Sequence, residues 1–593
     1  MASPRIIVVG GGLAGLAAVI KIAEAGGTVD LFSIVPVKRS HSVCAQGGIN
    51  AAKNLKGEGD TTWKHFDDTI YGGDFLANQT PVKAMCEAAP GIIDLLDRMG
   101  VPFNRTPEGL LDFRRFGGTL YNRTAFAGAT TGQQLLYALD EQVRRHESDG
   151  KVRKFEGWEF LSAVLDSQGQ ARGITALDLR TMELRSFPAD AIILATGGIG
   201  AIFGKSTNSV VCTGSAQSAI FQQGAFYANG EFIQVHPTSI PGEDKLRLMS
   251  ESARGEGGRV WVPRTVGDKR PFKQIPESER WYFLEEWYPK YGNLVPRDVA
   301  TRAIHRVVYE YHLGIDGQPM VYLDLTHIDR ATLDRKLGGI LEIYEKFVGV
   351  DPHDEPMKIF PGMLYTMGGL WVDFNQMTNI PGIFACGECE YQYHGANRLG
   401  ANSLVSCIFG GFQAGPNAVQ YAKSLEGPME GDGGHAAELA RQAEINQRLV
   451  NNAGTENPFR LWRELGATMT KHVTVIRYND GLKKADEKIV ELLERYKQVN
   501  LSDKSQWANT SFAFARQLYN MLELSRVVVQ GAILRDESRG AHYKPDFPDR
   551  NDEQFLKTTK AGFTGNPCGP HFEYEDVDTQ FIKPRPRRYD ATK

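Results

Sequence analysis

The stretch from Arg5 to Gly15 constrains the fold more than any other part of the chain. Arg5-Ile6-Ile7-Val8-Val9 is a β-branched run of the kind that fills a strand buried on both faces of a parallel sheet. Gly10-Gly11-Gly12-Leu13-Ala14-Gly15 follows at once, and the pattern then turns helical to about Ala25. A G-x-G-x-x-G between a strand and a helix is the dinucleotide fingerprint. Gly10 allows the turn, Gly12 lets a pyrophosphate approach the backbone, and Gly15 lets helix and strand pack closely. The pyrophosphate would rest on the helix N-terminus, with Gly11, Leu13 and Ala14 completing the cradle. The second strand, Thr28–Phe32, leads into Ser33, where many such folds carry an acid for the adenosine ribose. Ser33 with Lys38 is expected to take that place.

At 593 residues the chain has room for roughly 3 to 5 domains or subdomains. Its formal net charge of -4 gives no reason to invoke nucleic acid or an anionic membrane. The 63 glycines cluster at strand ends, which points to close backbone approaches to a large ligand. Seven cysteines at scattered spacing do not form a disulfide framework and suit a reducing compartment. Cys386-Gly387-Glu388-Cys389 is formally C-x-x-C, but no second pair lies at a fitting distance, so no metal site is expected. The first strand begins almost at once, so no signal peptide is expected. No apolar run approaches the roughly 18 residues of a membrane span.

Three further stretches belong with the fingerprint. Arg39-Ser40-His41-Ser42-Val43-Cys44-Ala45-Gln46-Gly47-Gly48 is too polar and Gly-rich for core. It reads as a loop whose Gly47-Gly48 backbone can approach a planar ligand while the His41 imidazole points at it. The strand Ala191–Ala195 ends in Thr196-Gly197-Gly198, a common close to the FAD domain of two-dinucleotide flavoproteins. Ile383-Phe384-Ala385-Cys386-Gly387-Glu388 is another strand ending in a glycine and an acid, with Glu388 placed to accept from ribose or ribityl hydroxyls. His394–Leu404, which contains Arg398, Ser403 and Leu404, then leads into an Ala/Gly-rich helix.

These marks predict an α/β chain: a Rossmann-like FAD-binding domain with an inserted α+β capping domain, a C-terminal helical bundle and an extended tail. The boundaries are 1–236 and 362–430 for the FAD-binding domain, 237–361 for the cap, 431–540 for the helical domain and 541–593 for the tail. Helices are expected at Thr131–His146 and, in the bundle, at about Ala436–Val450, Pro458–Ile476, Gly481–Val499 and Ser511–Leu534. Val152–Phe187 alternates like an antiparallel meander, Gly427–Gly434 reads as a linker, and loops around Arg114–Gly118 and Arg123–Phe126 read equally as sheet edges near the ligand or as solvated basic turns.

The candidate reacting groups lie far apart in sequence: His236, then Ser250-Glu251-Ser252-Ala253-Arg254, then Arg297, then Arg398. Singly, a buried histidine or a helix-start arginine is unremarkable. Together, two guanidinium groups, a histidine and a hydroxyl suit a small dianion held by both carboxylates.

The motifs R-S-H-S-V-x-A-Q-G-G, R-G-E-G-G, H-G-A-N-R-L-G-A-N-S-L and E-S-R-G-A-H, taken jointly, resemble the flavoprotein subunits of succinate dehydrogenases and fumarate reductases across almost the whole chain. The resemblance implies covalent FAD, attached through its 8α-methyl group to His41, and interconversion of succinate and fumarate. By it Arg297 is the proton donor or acceptor, Glu251 and Arg254 its relay, and His236, Ser250 and Arg398 the dicarboxylate contacts. It also implies an iron–sulfur subunit taking electrons from the flavin, membrane cytochrome b subunits beyond it, and a peripheral position on the cytoplasmic side of the inner membrane. Two departures stand out. Ser250 replaces a Thr but keeps the hydroxyl, and Leu364 stands where relatives place a carboxylate-binding His. An L-aspartate oxidase, which generally lacks the flavin-linking His, and a non-catalytic paralogue are the alternatives.

Overall fold

The computed structural model describes residues 3–240, 242, 245–425, 434–565 and 567–589. At its centre is a five-stranded parallel sheet in the order Ile383–Ala385, Ala191–Leu194, Arg5–Val9, Thr28–Ser33, Val152–Glu156. The central strand pairs Val9 with both Leu194 and Phe32, so three strand ends finish level at one edge. Ile6, Ile7 and Val8 are fully buried, as a strand covered on both faces requires.

Alternate residues of that strand serve two cores. Ile6 and Val8 pack beneath the helices Leu13–Glu24 and Asn402–Ser424, while Ile7 and Val9 meet a three-stranded antiparallel sheet on the other face. The two helices approach closely because glycines line the contact. A Cβ on Gly411 would stand 2.4 Å from the Ala14 carbonyl oxygen, and one on Gly415 would stand 2.8 Å from that of Ala18. Both helices start at the level sheet edge, so their unbonded N-terminal amides converge there.

The expected meander is corrected in one respect. Val152–Glu156 is the outermost strand of the parallel sheet, and only Trp158–Leu165, Ala171–Asp178 and Leu184–Pro188 form the antiparallel sheet. Gly157, at φ +79°, separates the two, because its left-handed backbone breaks the extended run. The strand's half-exposed alternation is that of a sheet edge, which reads like a hairpin strand.

The segment between the two halves of this unit builds a six-stranded antiparallel sheet, backed by the helices Arg297–Tyr309 and Arg330–Val348. The expected limits at 237 and 361 both fall inside long paired strands, Ile233–Ile240 and Met357–Thr366. The connection is therefore a two-stranded antiparallel ribbon, with register shifts at Gln234/Val235 and His236/Ser239. Four helices follow at His435–Asn451, Pro458–Val473, Asn479–Tyr496 and Thr510–Leu534. Asn457 caps the second of these, accepting from Phe459 N at 2.9 Å, with Pro458 in its first turn. The expected linker Gly427–Gly434 lies, except for Gly434, outside the described residues. The tail is not merely extended. Lys557–Gly562 and His571–Asp576 form a hairpin in a small sheet with Tyr227–Ala228 and Gly369–Leu370. Among the described residues no helix is long and apolar enough to cross a membrane.

Candidate active site

A cavity of about 620 Å³ starts at the level sheet edge and ends beneath the six-stranded sheet. That size suits an organic ligand of cofactor dimensions. The fingerprint glycines form its floor. A Cβ on Gly10 (φ +115°) would stand 2.1 Å from the Ala195 carbonyl oxygen, and one on Gly15 1.8 Å from that of Gly10. Neither position admits a side chain. Gly10, Gly11, Gly12, Leu13 and Ala14 line the cavity, with Ala195, Thr196 and Gly197 opposite and Ser403 and Leu404 from the second helix start. Gly15 supports from behind. The Ser40 hydroxyl, the Gln46 side-chain oxygen and the Thr196 hydroxyl are buried here without partners, which fits a phosphate- and hydroxyl-bearing ligand.

Ser33 lines the cavity at the end of the second strand, but Lys38 does not. Its ammonium lies 3.8 Å from Asp140 and 4.7 Å over the Tyr137 ring. The acid at this end is Glu159, which sequence reasoning missed. One of its carboxylate oxygens accepts from Gln517 of the helical region at 2.9 Å, and burial pushes its pKa up to about 7. No pattern in a β-strand singles out such a residue.

The His41 loop forms one wall. Arg114 holds it, donating from Nε to the Gly47 carbonyl at 3.1 Å while stacked 4.0 Å over Phe126. Gly47 faces Phe116, where a Cβ would come within 2.4 Å of the ring. The Ser209 amide donates to His41 Nδ1 at 3.2 Å, and the Asn208 amide group lies 3.3 Å from Nε2. Packing around the ring, with the Lys245 ammonium second, lowers the His41 pKa to about 4. The imidazole is therefore neutral near pH 7. Ser209, Asn208 and Lys245 carried no signal in the sequence.

At the far end the scattered candidates converge. Arg297, in the first turn of its helix, donates from Nε and Nη2 to one Glu251 oxygen at 3.1 and 2.9 Å. Its Nη1 donates to the Gln234 side-chain oxygen at 2.9 Å, and Gln234 in turn holds the Arg398 carbonyl at 2.8 Å. The other Glu251 oxygen accepts from Arg254 Nη2 at 2.6 Å. Arg254 stands behind Glu251, off the cavity wall, and also donates to the Asn293 carbonyl at 2.6 Å. Burial alone would raise the Glu251 pKa, but the Arg297 and Arg254 guanidiniums outweigh it and hold the carboxyl below its ordinary range.

His236 Nδ1 lies 3.2 Å from both the Thr238 amide nitrogen and the Thr238 carbonyl oxygen, and Nε2 is buried without a partner. Burial, with Arg297 second, keeps the ring neutral by lowering its pKa well below the usual value. The Arg398 guanidinium lies 4.4 Å over the Tyr365 ring with Nε unpaired, and burial, with Arg297 second, lowers its pKa to about 9. Ser250 also lines this end, its hydroxyl 2.9 Å from that of Ser252. Leu364 is on the wall too, packed with Tyr365 and Met367. Between the two ends, Glu388 accepts from the Thr366 amide at 3.1 Å, and burial raises its pKa to about 7. The described residues hold no cluster of metal-ligating side chains.

The sequence matches the FAD binding domain family over residues 5–404 and the fumarate reductase flavoprotein C-terminal family over 462–589. It is 63% identical to the succinate dehydrogenase flavoprotein subunit of Bacillus subtilis, each chain covered in full, and 34% identical to the fumarate reductase flavoprotein subunit of Escherichia coli, over 98% of this chain and 95% of that one. The fold superposes on a mutant FrdA chain of E. coli quinol fumarate reductase with a TM-score of 0.91 at 32% identity, covering 100% of both. It also superposes on Mycobacterium smegmatis Sdh1 in complex with UQ1, with a TM-score of 0.82 at 29% identity, covering 97% of this chain and 94% of that one. The chain thus belongs to the succinate dehydrogenase and fumarate reductase flavoprotein family, FAD-dependent oxidoreductases.

Proposed function

We propose that this chain interconverts succinate and fumarate as the flavoprotein subunit of a succinate:quinone or quinol:fumarate oxidoreductase. FAD would be held covalently by His41, and electrons would pass to an iron–sulfur subunit. That subunit, with membrane cytochrome b subunits, would keep the chain peripheral on the cytoplasmic face. The observation that carries the reading is the meeting of Arg297, Glu251 and Arg254 with His236, Ser250 and Arg398 at one end of a cavity whose other end is a dinucleotide cradle.

FAD, when bound, supplies the hydride acceptor and donor. Gly10–Ala14, Ser40, Thr196 and the helix start at Ser403 would hold its pyrophosphate, Ser33 its adenosine ribose and Glu388 a ribityl hydroxyl; of these, the Ser40 and Thr196 hydroxyls are buried and unpaired. His41 is suited to the covalent bond because its ring is neutral and the Ser209 amide occupies Nδ1, which directs attachment to Nε2. Once Nε2 is substituted, Nδ1 keeps the lone pair that the amide bonds.

For the substrate, the Arg398 guanidinium and His236, in the tautomer that carries its proton on Nε2, donate to carboxylates, and the Ser250 hydroxyl, turned away from Ser252, adds a neutral donor. Arg297 stands beside them. An arginine seldom exchanges protons because its pKa is above 12. Here its guanidinium rests on an anionic carboxylate, so a proton given to the substrate carbon leaves a neutral base that Glu251 can reprotonate, drawing on Arg254. Leu364 offers no donor, so the dicarboxylate would rest on fewer contacts than in a His-bearing site. The test is dye reduction with succinate and, separately, with L-aspartate. Succinate should reduce the dye and malonate should inhibit. Reduction by L-aspartate alone, or by neither, would overturn the reading.

A further inference from the structure

The end of the chain ties the helix that carries Arg297 to the FAD-binding half. Arg585 Nη2 pairs with Asp67 at 2.7 Å. The Tyr71 hydroxyl accepts from the Arg588 amide at 2.7 Å and donates to the Arg588 carbonyl at 3.0 Å. Asp67 and Tyr71 both lie on the helix Thr62–Gly72. Between these anchors Arg587 turns inward and forks onto Asp298, Nη1 to one carboxylate oxygen at 2.6 Å and Nη2 to the other at 3.1 Å. The Asp298 side chain is fully buried and the Arg587 side chain only 6% exposed. Tyr589 then packs edge-on against Tyr71 and Tyr291, its ring centre 5.6 and 5.2 Å from theirs.

Asp298 is the residue after Arg297. The helix they begin has Pro296 ahead of it and no side-chain cap, and Asp298 is the one acid in its first turn. Its other partner is Arg302 at 3.2 Å, a guanidinium that also serves the Gly540 carbonyl at 2.7 Å. The link to Arg587 therefore fixes where the first turn sits relative to the cavity.

We propose that Arg585–Tyr589 is a strap and that Arg587, through Asp298, is a positioning residue that sets Arg297 against Glu251. This rests on the role given to Arg297 above. A buried carboxylate that loses a partner is strongly destabilised and moves toward water or another cation. Without Arg587, Asp298 keeps Arg302 on its own helix but loses its ion pair with the strap, so the first turn is held less firmly. A shift of about 1 Å at a reacting group costs on the order of a hundredfold in rate.

The experiment uses the full chain, with turnover counted per bound flavin. Arg587→Met should lower kcat about ten- to a hundredfold while KM for succinate moves less than about threefold, because the carboxylate contacts His236 and Arg398 are untouched. Arg587→Lys should recover part of the loss by restoring the charge without the fork. Adding Asp298→Asn to Arg587→Met should cost little more, since both cut one link. Hydrogen exchange reads the same link without activity or flavin. The amides from Ala300 onward, the first of them bonded to the Pro296 carbonyl at 2.9 Å, should lose protection in Arg587→Met. Unchanged turnover per flavin or unchanged protection overturns the proposal, as does a loss that tracks melting temperature and that lysine does not recover. If Arg297→Lys itself turned over normally, the role of Arg297 would fail, while the exchange result would still report on the strap.

Discussion

Gly117→Ala is a small change aimed at the centre of the site. Gly117 has no positive φ, so alanine meets no backbone strain there. The obstacle is space: a Cβ would stand 2.1 Å from one Glu251 oxygen and 2.8 Å from the carboxyl carbon. To clear it the carboxylate must retreat by about 1 Å, on the scale at which a misplaced catalytic group loses on the order of a hundredfold. Retreat is restricted, because Arg254 holds the same oxygen at 2.6 Å and Arg297 holds its neighbour at 2.9 Å. Losing one such charged hydrogen bond costs about 1.5–3 kcal/mol, or roughly ten- to a hundred-and-fifty-fold in rate if the loss falls on the transition state. The assay is succinate-driven dye reduction, with flavin content and melting temperature measured alongside. The expected result is kcat down about a hundredfold with flavin content kept and KM little changed. Turnover within about twofold of the parent would show that Glu251 need not stay where it is, and the relay would lose its support.

His41→Ser should still bind FAD but release it on denaturation, so its gel band loses the flavin fluorescence that the parent band keeps. A non-fluorescent parent band would refute the covalent link. Leu364→His should tighten succinate or malonate binding about ten- to a hundredfold, the value of one donor to a carboxylate, in a titration followed by flavin absorbance. Unchanged or weaker binding would mean that position 364 does not meet the ligand. Arg398 should impose a pH limit. Its pKa is lowered to about 9, so it is cationic below that pH, and malonate affinity should fall as pH rises through 9. A bound dianion favours the charged form and moves the break upward. His236, neutral already, should add no break near pH 6.5. A break near 6.5 with none above 8 would reverse the two assignments.

What the sequence made legible was local. Gly10 and Gly15 could be read because their contacts, each with a carbonyl a few ångströms away, recur wherever a strand turns straight into a helix over a pyrophosphate. The bundle helices could be read to within a few residues because their apolar spacing reports burial directly. The ion-pair cluster could not be read from spacing, since Glu251 and Arg297 meet only through the six-stranded sheet and the helix packed on it. The resemblance, not periodicity, brought them together. Val152–Glu156 was misplaced because an edge strand and a hairpin strand alternate alike. Lys38 was assigned to the ribose by its nearness in sequence, whereas Asp140, a hundred residues on, draws it away. Arg587 lay in a stretch that reads only as an extended tail. Only the buried Asp298 opposite gives it a role.

The central claim is that Arg297 moves the proton at the substrate carbon. The most direct test is Arg297→Lys, assayed for succinate-driven dye reduction per bound flavin. Lysine keeps the charge but cannot hold Glu251 and Gln234 with one planar fork. The account predicts no measurable turnover, with flavin content and malonate binding retained. Turnover near that of the parent would contradict it.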